Sequence, residues 1–135
     1  MPSASTVPSD SESLVASLRI LVVDDTQDCA QSLAMLLEIS GHEVRVAHGA
    51  LEAIEIAAAF RPAVIFMDIG LPVVDGFEAI RRIRAQTWGR DIVICTLTGF
   101  DGSDYTRRSR ELGVKHHLVK PTDFQTVTRV LAASA

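Results

Sequence analysis

Apolar residues along the chain follow two patterns that alternate with each other. Runs 18–23 and 64–67 are strongly apolar and too short for helices, which is typical of strands covered on both faces of a sheet. Runs 91–98 and 114–119 also have strand length, and 42–47 alternates apolar and polar residues like a strand near a sheet edge. Because segments of helical period separate these runs, the pattern predicts a doubly wound α/β fold with a five-stranded parallel sheet and helices on both faces.

The helical segments carry an apolar face and a recognisable end. The first has four apolar residues at helical spacing and is expected to end near Gly41. The third is expected to follow a loop that reaches Gly76, to bury Phe77 and Ile80, and to end at Gly89. The four apolar residues of the first helix are Ala30, Leu33, Ala34 and Leu37.

Composition and charge narrow the class of protein. The 135-residue chain is 47% hydrophobic and 22% charged, which fits one globular domain with a sizeable core. A net charge of −4 and a pI near 5.5 give no electrostatic reason to expect nucleic acid or an anionic membrane as a partner. No run is long enough for a signal sequence or a membrane span, so we expect a cytoplasmic protein.

Several residues are expected to have structural or peripheral positions. Residues 1–17 are rich in Ser and hold few large apolar groups, so we expect a flexible N-terminal tail. Cys29 and Cys95 lie in apolar segments without metal-ligand spacing and are expected to be reduced residues of the core. His42 and His48 lie near the predicted element boundaries and are expected at the surface.

Polar side chains follow four of the five predicted strands. Asp24 and Asp25 come after the first strand, and Asp68 comes after the third. Thr98 ends the fourth strand and Lys120 follows the fifth. Because the carboxyl ends of parallel strands share one edge, these side chains are expected to converge. Three carboxylates without His or Cys favour Mg²⁺ over zinc, and a hydroxyl and an ammonium beside such a metal suit phosphoryl oxygens.

Five short motifs at these strand ends resemble those of the receiver domains of two-component response regulators, the CheY-like family. The resemblance covers about residues 19–133 and implies the strand order 2-1-3-4-5. It divides the chain into an N-terminal tail, residues 1–17, and a receiver domain, residues 18–135. The motifs are Val22-Val23-Asp24-Asp25, Met67-Asp68-Ile69-Gly70-Leu71-Pro72, Asp75-Gly76, Leu97-Thr98-Gly99 and Val119-Lys120-Pro121.

The resemblance also implies a phosphoacceptor and a metal site. Asp68 corresponds to the aspartate that takes a phosphoryl group from the phosphohistidine of a partner protein. Asp25 and Asp68 would ligate Mg²⁺ directly, together with the backbone carbonyl of Gly70. Asp24 would act mainly through a metal-bound water.

Three further residues would bind the phosphoryl group or respond to it. Thr98 and Lys120 would hold phosphoryl oxygens. His117 lies three residues before the lysine, where the family usually has Tyr or Phe, and its flat ring can both rotate and titrate. Thr98 and His117 are therefore the expected switch residues.

The resemblance implies protein partners and not a small-molecule substrate. The phosphodonor would be a histidine kinase or a histidine phosphotransfer protein. A target protein would bind the face made by the fourth helix, the fifth strand and the fifth helix. The chain would not be an enzyme beyond assisting its own phosphorylation and dephosphorylation, and no output domain is expected after Ala135.

Three alternatives remain open on the sequence alone. A small phosphohydrolase with an aspartate nucleophile would place that residue on the first strand with a second aspartate two residues later, whereas Asp24 and Asp25 are adjacent. A flavin- or nucleotide-binding module would need a glycine-rich loop after the first strand, which the sequence lacks. Residues 116–121 resemble receivers attached to hybrid histidine kinases, so the chain is alternatively a receiver excised from one.

Overall fold

Most of the receiver-like region is described by a computed structural model. The predicted tail, residues 1–17, lies outside the described residues except for Ser17, whose hydroxyl donates a hydrogen bond to the backbone oxygen of Gly41 at 2.8 Å. Within the described part of the chain, no helix is both long and apolar enough to cross a membrane. The described residues are 17–71, 74–98, 103–114, 116–120 and 123–134.

Five parallel strands form one sheet, as the hydrophobic pattern predicts. Their order across the sheet is β2-β1-β3-β4-β5, which is the predicted order 2-1-3-4-5. Pairing is parallel throughout, and β1 lies between β2 and β3. The strands are β1 (Arg19–Val23), β2 (Glu43–Ala47), β3 (Val64–Asp68), β4 (Val93–Thr98) and β5 (His116–Val119).

Helices connect the strands and cover both faces. The third helix ends at Arg84, so the predicted end at Gly89 is wrong; a separate 3₁₀ turn, Thr87–Gly89, lies between that helix and β4. The backbone at Gly89 passes so close to Ile83 that a Cβ there would lie 1.9 Å from the Ile83 carbonyl oxygen. The helices are α1 (Gln27–Ile39), α2 (Ala50–Phe60), α3 (Gly76–Arg84), α4 (Ser103–Glu111) and α5 (Phe124–Ser134).

The sheet separates two apolar layers. Alternate residues of β1 point to opposite layers: Leu21 and Val23 pack in the layer of α2 and α3, and Ile20 and Val22 in that of α1 and α5. The central strands β1 and β3 are therefore apolar and completely buried on both faces over residues 20–23 and 64–67, and the predicted inward face of α1 is buried as expected. That face consists of Ala30, Leu33, Ala34 and Leu37.

Two expectations about single residues are wrong. Cys29 is exposed on the first turn of α1, whereas Cys95 is in the core as predicted. His42 is only 7% exposed, although it lies in the turn between α1 and β2, because its ring accepts a hydrogen bond from the amide of Leu18 at 3.0 Å. His48 is exposed as expected.

Arg84 joins α3 to three other parts of the chain at the amino-terminal edge of the sheet. Its guanidinium is half-buried and donates hydrogen bonds to five backbone carbonyls, which is possible because this planar group carries five N–H donors. Two acceptors follow α4, two lie at the end of the 3₁₀ turn and one precedes β4. They are Leu112 at 3.0 Å, Gly113 at 3.2 Å, Gly89 at 2.8 Å, Arg90 at 3.1 Å and Ile92 at 2.7 Å.

Replacing this guanidinium should destabilise the fold. In Arg84→Lys the ammonium reaches only part of the carbonyl set, so several partly buried acceptors lose their partner, and we expect a loss of about 2–4 kcal/mol. Urea unfolding followed by circular dichroism measures it. Arg82→Lys is the matched control because Arg82 pairs only with Glu78 on the exposed side of α3 among its described contacts. Equal losses in the two variants would contradict a clamping role for Arg84.

Candidate functional site

Three predicted carboxylates meet at the carboxyl edge of the sheet. Asp24 and Asp25 follow β1, and Asp68 is the last residue of β3. One carboxylate oxygen of each residue lies within 4.8 Å of the other two. Asp24 and Asp68 are 2% and 6% exposed, while Asp25 is open to solvent. The cluster therefore has a buried floor and an accessible side.

Lys120 lies between the two buried carboxylates. Its Nζ donates to Asp24 Oδ2 at 2.9 Å and to Asp68 Oδ2 at 3.0 Å. The side chain of Lys120 is 26% exposed, so these bonds form in a partly desolvated place where charge pairing is stronger than at the surface. One ammonium thus holds residues that are 96 and 52 positions away in the sequence.

Each buried carboxylate uses its other oxygen to order the turn that follows it. Asp24 Oδ1 accepts from the amide of Thr26, and Asp68 Oδ1 accepts from the amide of Gly70, both at 2.9 Å. Asp and Asn commonly fix turns in this way, through the backbone two residues ahead. The carboxylates are therefore held on both sides, with little rotational freedom.

Burial and ion pairing shift the pKa values of Asp24 and Lys120 in opposite directions. Burial raises the pKa of Asp24, and the hydrogen bond from Lys120 opposes this rise without cancelling it. Burial lowers the pKa of Lys120, but the hydrogen bonds to Asp24 and Asp68 outweigh burial, so the pKa ends above its usual value. Lys120 is consequently an ammonium at neutral pH.

The end of β4 supports both the acidic turn and the lysine. The amide of Ile69 donates to the Leu97 carbonyl at 3.1 Å, and the amide of Lys120 donates to the Thr98 carbonyl at 2.7 Å. Thr98 is 3% exposed and lies at the same edge as Asp68. A displacement of β4 would therefore reach the segment after Asp68 and Lys120 together.

His117 contacts Thr96, a residue that the sequence analysis did not single out. The two residues lie opposite each other in the β4–β5 pairing, and His117 Nδ1 is hydrogen-bonded to Thr96 Oγ1. Thr96 is completely buried, and among the described residues His117 Nε2 is buried without a hydrogen-bond partner. The signal was present in the sequence, because Thr96 lies two positions before Thr98 on a strand and therefore shares its face.

Two other side chains near the carboxylates were not foreseen. Cys29 lies in a groove of about 480 Å³ that Asp24 and Lys120 also line. The Nδ1 atom of His48 donates to the backbone oxygen of Asp24 at 3.1 Å. Cys29 lies in the first turn of α1 and His48 directly follows β2, so both are at the carboxyl edge of the sheet, where only the three-dimensional strand order brings them close to Asp24. Cys95 is different, because burial raises the pKa of its thiol to about 12 and leaves it unreactive.

Two glycines give the acidic turn its shape. A Cβ on Gly70 would lie 3.5 Å from Asp68 Oδ1, an ordinary contact, so the space beside the carboxylate is open. A Cβ on Gly76 would lie 2.4 Å from the Asp68 backbone oxygen and 2.6 Å from the Cα of Ile69. Only glycine allows α3 to begin this close to the end of β3.

The donor set fits a hard divalent cation. Carboxylate oxygens of Asp24, Asp25 and Asp68 lie within 4.8 Å of one another, and the cluster contains no His or Cys ligand. Oxygen-only sites of this kind are typical of Mg²⁺ and Ca²⁺, and Mg²⁺ commonly uses one or two carboxylates together with phosphoryl oxygens. The charge of three carboxylates exceeds that of the single lysine beside them, so the site retains affinity for a cation.

Fold and site together define a class of protein. Residues 20–132 match the family model of the response regulator receiver domain, and the chain belongs to that family. It is a receiver domain of the kind found in two-component signalling, with the parallel sheet order and the acidic edge described above.

The curated relatives of the chain include regulatory proteins of mycobacteria. The transcriptional regulatory protein PrrA of Mycobacterium leprae is 38% identical over 107 residues, which are 79% of this chain and 45% of PrrA. The response regulator MprA of Mycobacterium ulcerans is 36% identical over 105 residues, 78% of this chain and 44% of MprA. The chain thus spans about half the length of the curated relatives it matches.

Solved structures show the same fold. The chemotaxis protein CheY4 of Vibrio cholerae superposes with a TM-score of 0.84 at 29% identity, covering 89% of this chain and all of CheY4. The receiver domain of a sensor histidine kinase from Pseudomonas aeruginosa gives a TM-score of 0.79 at 30% identity, covering 87% of this chain and 97% of that one. That domain was solved with a magnesium ion coordinated in its active-site cleft.

Filling the space at Gly76 should disturb the acidic turn. In Gly76→Ala the Cβ meets backbone atoms of Asp68 and Ile69 that cannot move aside as a side chain would, so we expect a loss of about 1–3 kcal/mol. Gly49→Ala is the control because nothing lies within 4 Å of its Cβ position; its cost should stay below about 1 kcal/mol. Thermal unfolding with and without MgCl₂ tests both stability and the site. A Gly76→Ala protein with unchanged stability and unchanged response to Mg²⁺ would contradict this role.

Proposed function

We propose that the chain accepts a phosphoryl group on Asp68 from the phosphohistidine of a histidine kinase or a histidine phosphotransfer protein. The observation that carries the proposal is Lys120, whose ammonium lies 2.9 and 3.0 Å from the carboxylates of Asp24 and Asp68. A buried carboxylate with an adjacent ammonium and two further acidic groups suits a nucleophile whose attack on phosphorus is driven by positioning and charge.

The metal of this site is proposed to be Mg²⁺. Asp24, Asp25 and Asp68 would hold it together with the backbone carbonyl of Gly70, with Asp24 acting mainly through water. When bound, the ion would neutralise the carboxylates and the phosphoryl oxygens and so permit an anionic nucleophile to approach an anionic donor. The magnesium ion in the related receiver domain from Pseudomonas aeruginosa supports this assignment.

Asp68, Lys120 and Thr98 would each have a separate role in the phosphoryl transfer. An oxygen of Asp68 forms a bond to phosphorus as the phosphorus–nitrogen bond of the donor breaks, and the electron pair of that bond returns to the imidazole. Lys120 already lies beside Oδ2 of Asp68 and would hold a phosphoryl oxygen. Thr98, at the end of the neighbouring strand, would offer its hydroxyl to another. The open space at Gly70 leaves room for the donor.

The switch is proposed to run through β4 to the face of α4, β5 and α5. Capture of the phosphoryl group by Thr98 would pull the end of β4, and the ring of His117, which bonds to Thr96 on the same strand, would change position. On that face, Val119 and Phe124 are 42% and 49% exposed, which suits a protein target. A small phosphohydrolase is disfavoured because such an enzyme would have its nucleophile on the first strand, whereas the nucleophile proposed here, Asp68, is on β3.

The proposed partners are proteins, and the proposed activity is acceptance of a phosphoryl group without turnover of a substrate. The net charge of −4 gives this chain no electrostatic basis for binding nucleic acid. The transcriptional role in the name of PrrA belongs to a protein of which the match covers 45%. Cytoplasmic phosphorelay signalling is consistent with these features, whether the receiver acts alone or was once part of a hybrid histidine kinase.

Replacing the nucleophile tests the proposal directly. Asp68→Asn keeps the size of the side chain and its hydrogen bond from Gly70 but removes the nucleophilic oxygen, so phosphorylation by acetyl phosphate in MgCl₂ should fall to background. Intact-protein mass spectrometry measures the added phosphoryl group, and its lability in acid distinguishes an aspartyl phosphate from a stable phosphate ester. Asp75→Asn is the control, because Asp75 caps α3 and lies outside the carboxylate cluster. Full labelling of the Asp68→Asn protein would reject Asp68 as the acceptor.

Removing Lys120 should separate metal binding from switching. In Lys120→Ala the carboxylates remain, so Mg²⁺ should still bind, but the contact that links Asp68 to the end of β5 is gone. We expect most of the beryllofluoride-induced NMR shift of residues 116–119, including His117, to be lost, because no ammonium is left to bind the added anionic group. Arg45→Ala, on the opposite edge strand, should respond like wild type. An unreduced shift of His117 in Lys120→Ala would remove Lys120 from the switch.

A further inference from the structure

His42 lies at the edge of the sheet opposite the acidic site and fixes the point where the chain enters β1. It occupies the turn between α1 and β2, and its own amide donates to the Leu37 carbonyl at 3.1 Å. The side chain is buried, with 7% of the residue exposed. A buried imidazole in a turn requires a partner for its polar atoms, and here the partner is the backbone of Leu18.

The hydrogen bond to Leu18 determines the protonation state of the ring. The amide of Leu18 points to Nδ1 of His42 at 3.0 Å. A backbone amide is only a donor, so Nδ1 must be an acceptor and can carry no proton. The ring is therefore neutral, with its single proton on Nε2. A second proton could only be placed on Nδ1, where it would oppose the amide proton of Leu18.

Neighbouring bonds make this contact part of a clasp, which we define as residues 17–18 held against residues 41–43. The hydroxyl of Ser17 donates to the Gly41 carbonyl at 2.8 Å, and the amide of Glu43 donates to the Leu18 carbonyl at 3.0 Å. Of the bonds in the clasp, only the one from Leu18 to His42 involves a titratable group. The next bond along β1 joins the amide of Ala63 to the Arg19 carbonyl at 2.8 Å.

The charged groups around the clasp do not stabilise a protonated His42 ring. Burial lowers the pKa of His42 from its ordinary value near 6.5. The side chains that carry charge on the neighbouring elements β1, α1, β2, α2 and α5 are all exposed to solvent, where their fields are weakened. They are Arg19, Glu43 and Arg45 on the strands, Asp28 and Glu38 on α1, Glu52 and Glu55 on α2 with Arg61 directly after it, and Arg129 on α5.

We propose that His42 is an acid-released clasp on the segment that leads into β1. Above the ordinary histidine pKa the ring is neutral in both the closed and the open form, and the clasp is at full strength. Protonation favours the open form, in which Leu18 has lost its acceptor. The strength of the clasp therefore falls as pH drops from about 6.5 toward the lower pKa of the closed form, by at most about tenfold in the opening equilibrium per pH unit. Below that lower pKa there is no further change.

NMR on the complete chain tests the clasp without any substitution. Long-range ¹H–¹⁵N spectra should show Nδ1 of His42 bare and Nε2 protonated at about pH 7.5. Amide hydrogen exchange of Leu18, corrected for the intrinsic rate, should lose protection between about pH 7 and pH 5, while the amide of Ala63 keeps its protection. A proton on Nδ1 at pH 7.5 would overturn the proposal. A parallel loss at Leu18 and Ala63 would also overturn it, since it would mean that the whole sheet opens.

A substitution that keeps the acceptor but not the titration makes the test specific. The amide oxygen of Asn in His42→Asn can occupy the place of Nδ1, so Leu18 should stay protected at pH 7.5 and should lose the acid-dependent change. His48→Asn, which alters an exposed histidine, should retain the change seen in wild type. An acid-dependent loss that persists in His42→Asn would overturn the assignment to His42. If His42→Asn does not fold, the measurements on the wild-type chain decide the question.

Discussion

One ammonium shared by two buried carboxylates is the interaction on which the functional end of the structure depends. Lys120 follows the edge strand β5, whereas Asp24 follows β1 and Asp68 ends β3, both in the middle of the sheet. Without that cation, two nearly buried carboxylates would lie beside a third with no counter-charge, which is costly in a partly desolvated site. The pairing therefore stabilises the metal-free site and ties β5 to the centre of the sheet.

The sequence was sufficient to predict that these side chains converge, because their convergence depends only on the strands being parallel. Once the strands are parallel, their carboxyl ends must share an edge, and whatever follows each strand is brought there. Asp24, Asp25, Asp68, Thr98 and Lys120 needed no local motif to be found, and the strand order followed from the resemblance to receiver domains. Their roles in phosphoryl transfer remain predictions, since geometry brings the groups together without showing the reaction.

Contacts that depend on one side chain reaching a distant backbone were not predictable. Arg84 bonds to carbonyls 28 and 29 residues ahead, and His42 to an amide 24 residues before it. No periodicity marks such residues, and an arginine at the end of a helix is ordinarily a solvated one. Cys29 differs from the expectation in the other direction. It was expected in the core because it lies in an apolar segment, but it is on the solvent-exposed face of α1. The sequence pattern shows which residues share a face of a helix, but whether a given residue on it is buried depends on which element packs there.

The two edges of the sheet solve the problem of buried polar groups in different ways. At the carboxyl edge, charges are retained and paired, and in the proposed function the site would respond to an added phosphoryl group through Lys120 and the end of β4. At the amino edge, Arg84 and His42 satisfy backbone groups, and the histidine does so as a neutral ring. Because Leu18 directly precedes β1 and Asp24 directly follows it, the two arrangements hold the two ends of one strand, whose residues 20–23 are completely buried. The receiver thus combines a carboxyl edge that holds paired charges with an amino edge that anchors the chain through bonds to backbone groups. In the proposed clasp, a change of pH affects the amino edge through His42 and not through the carboxylates.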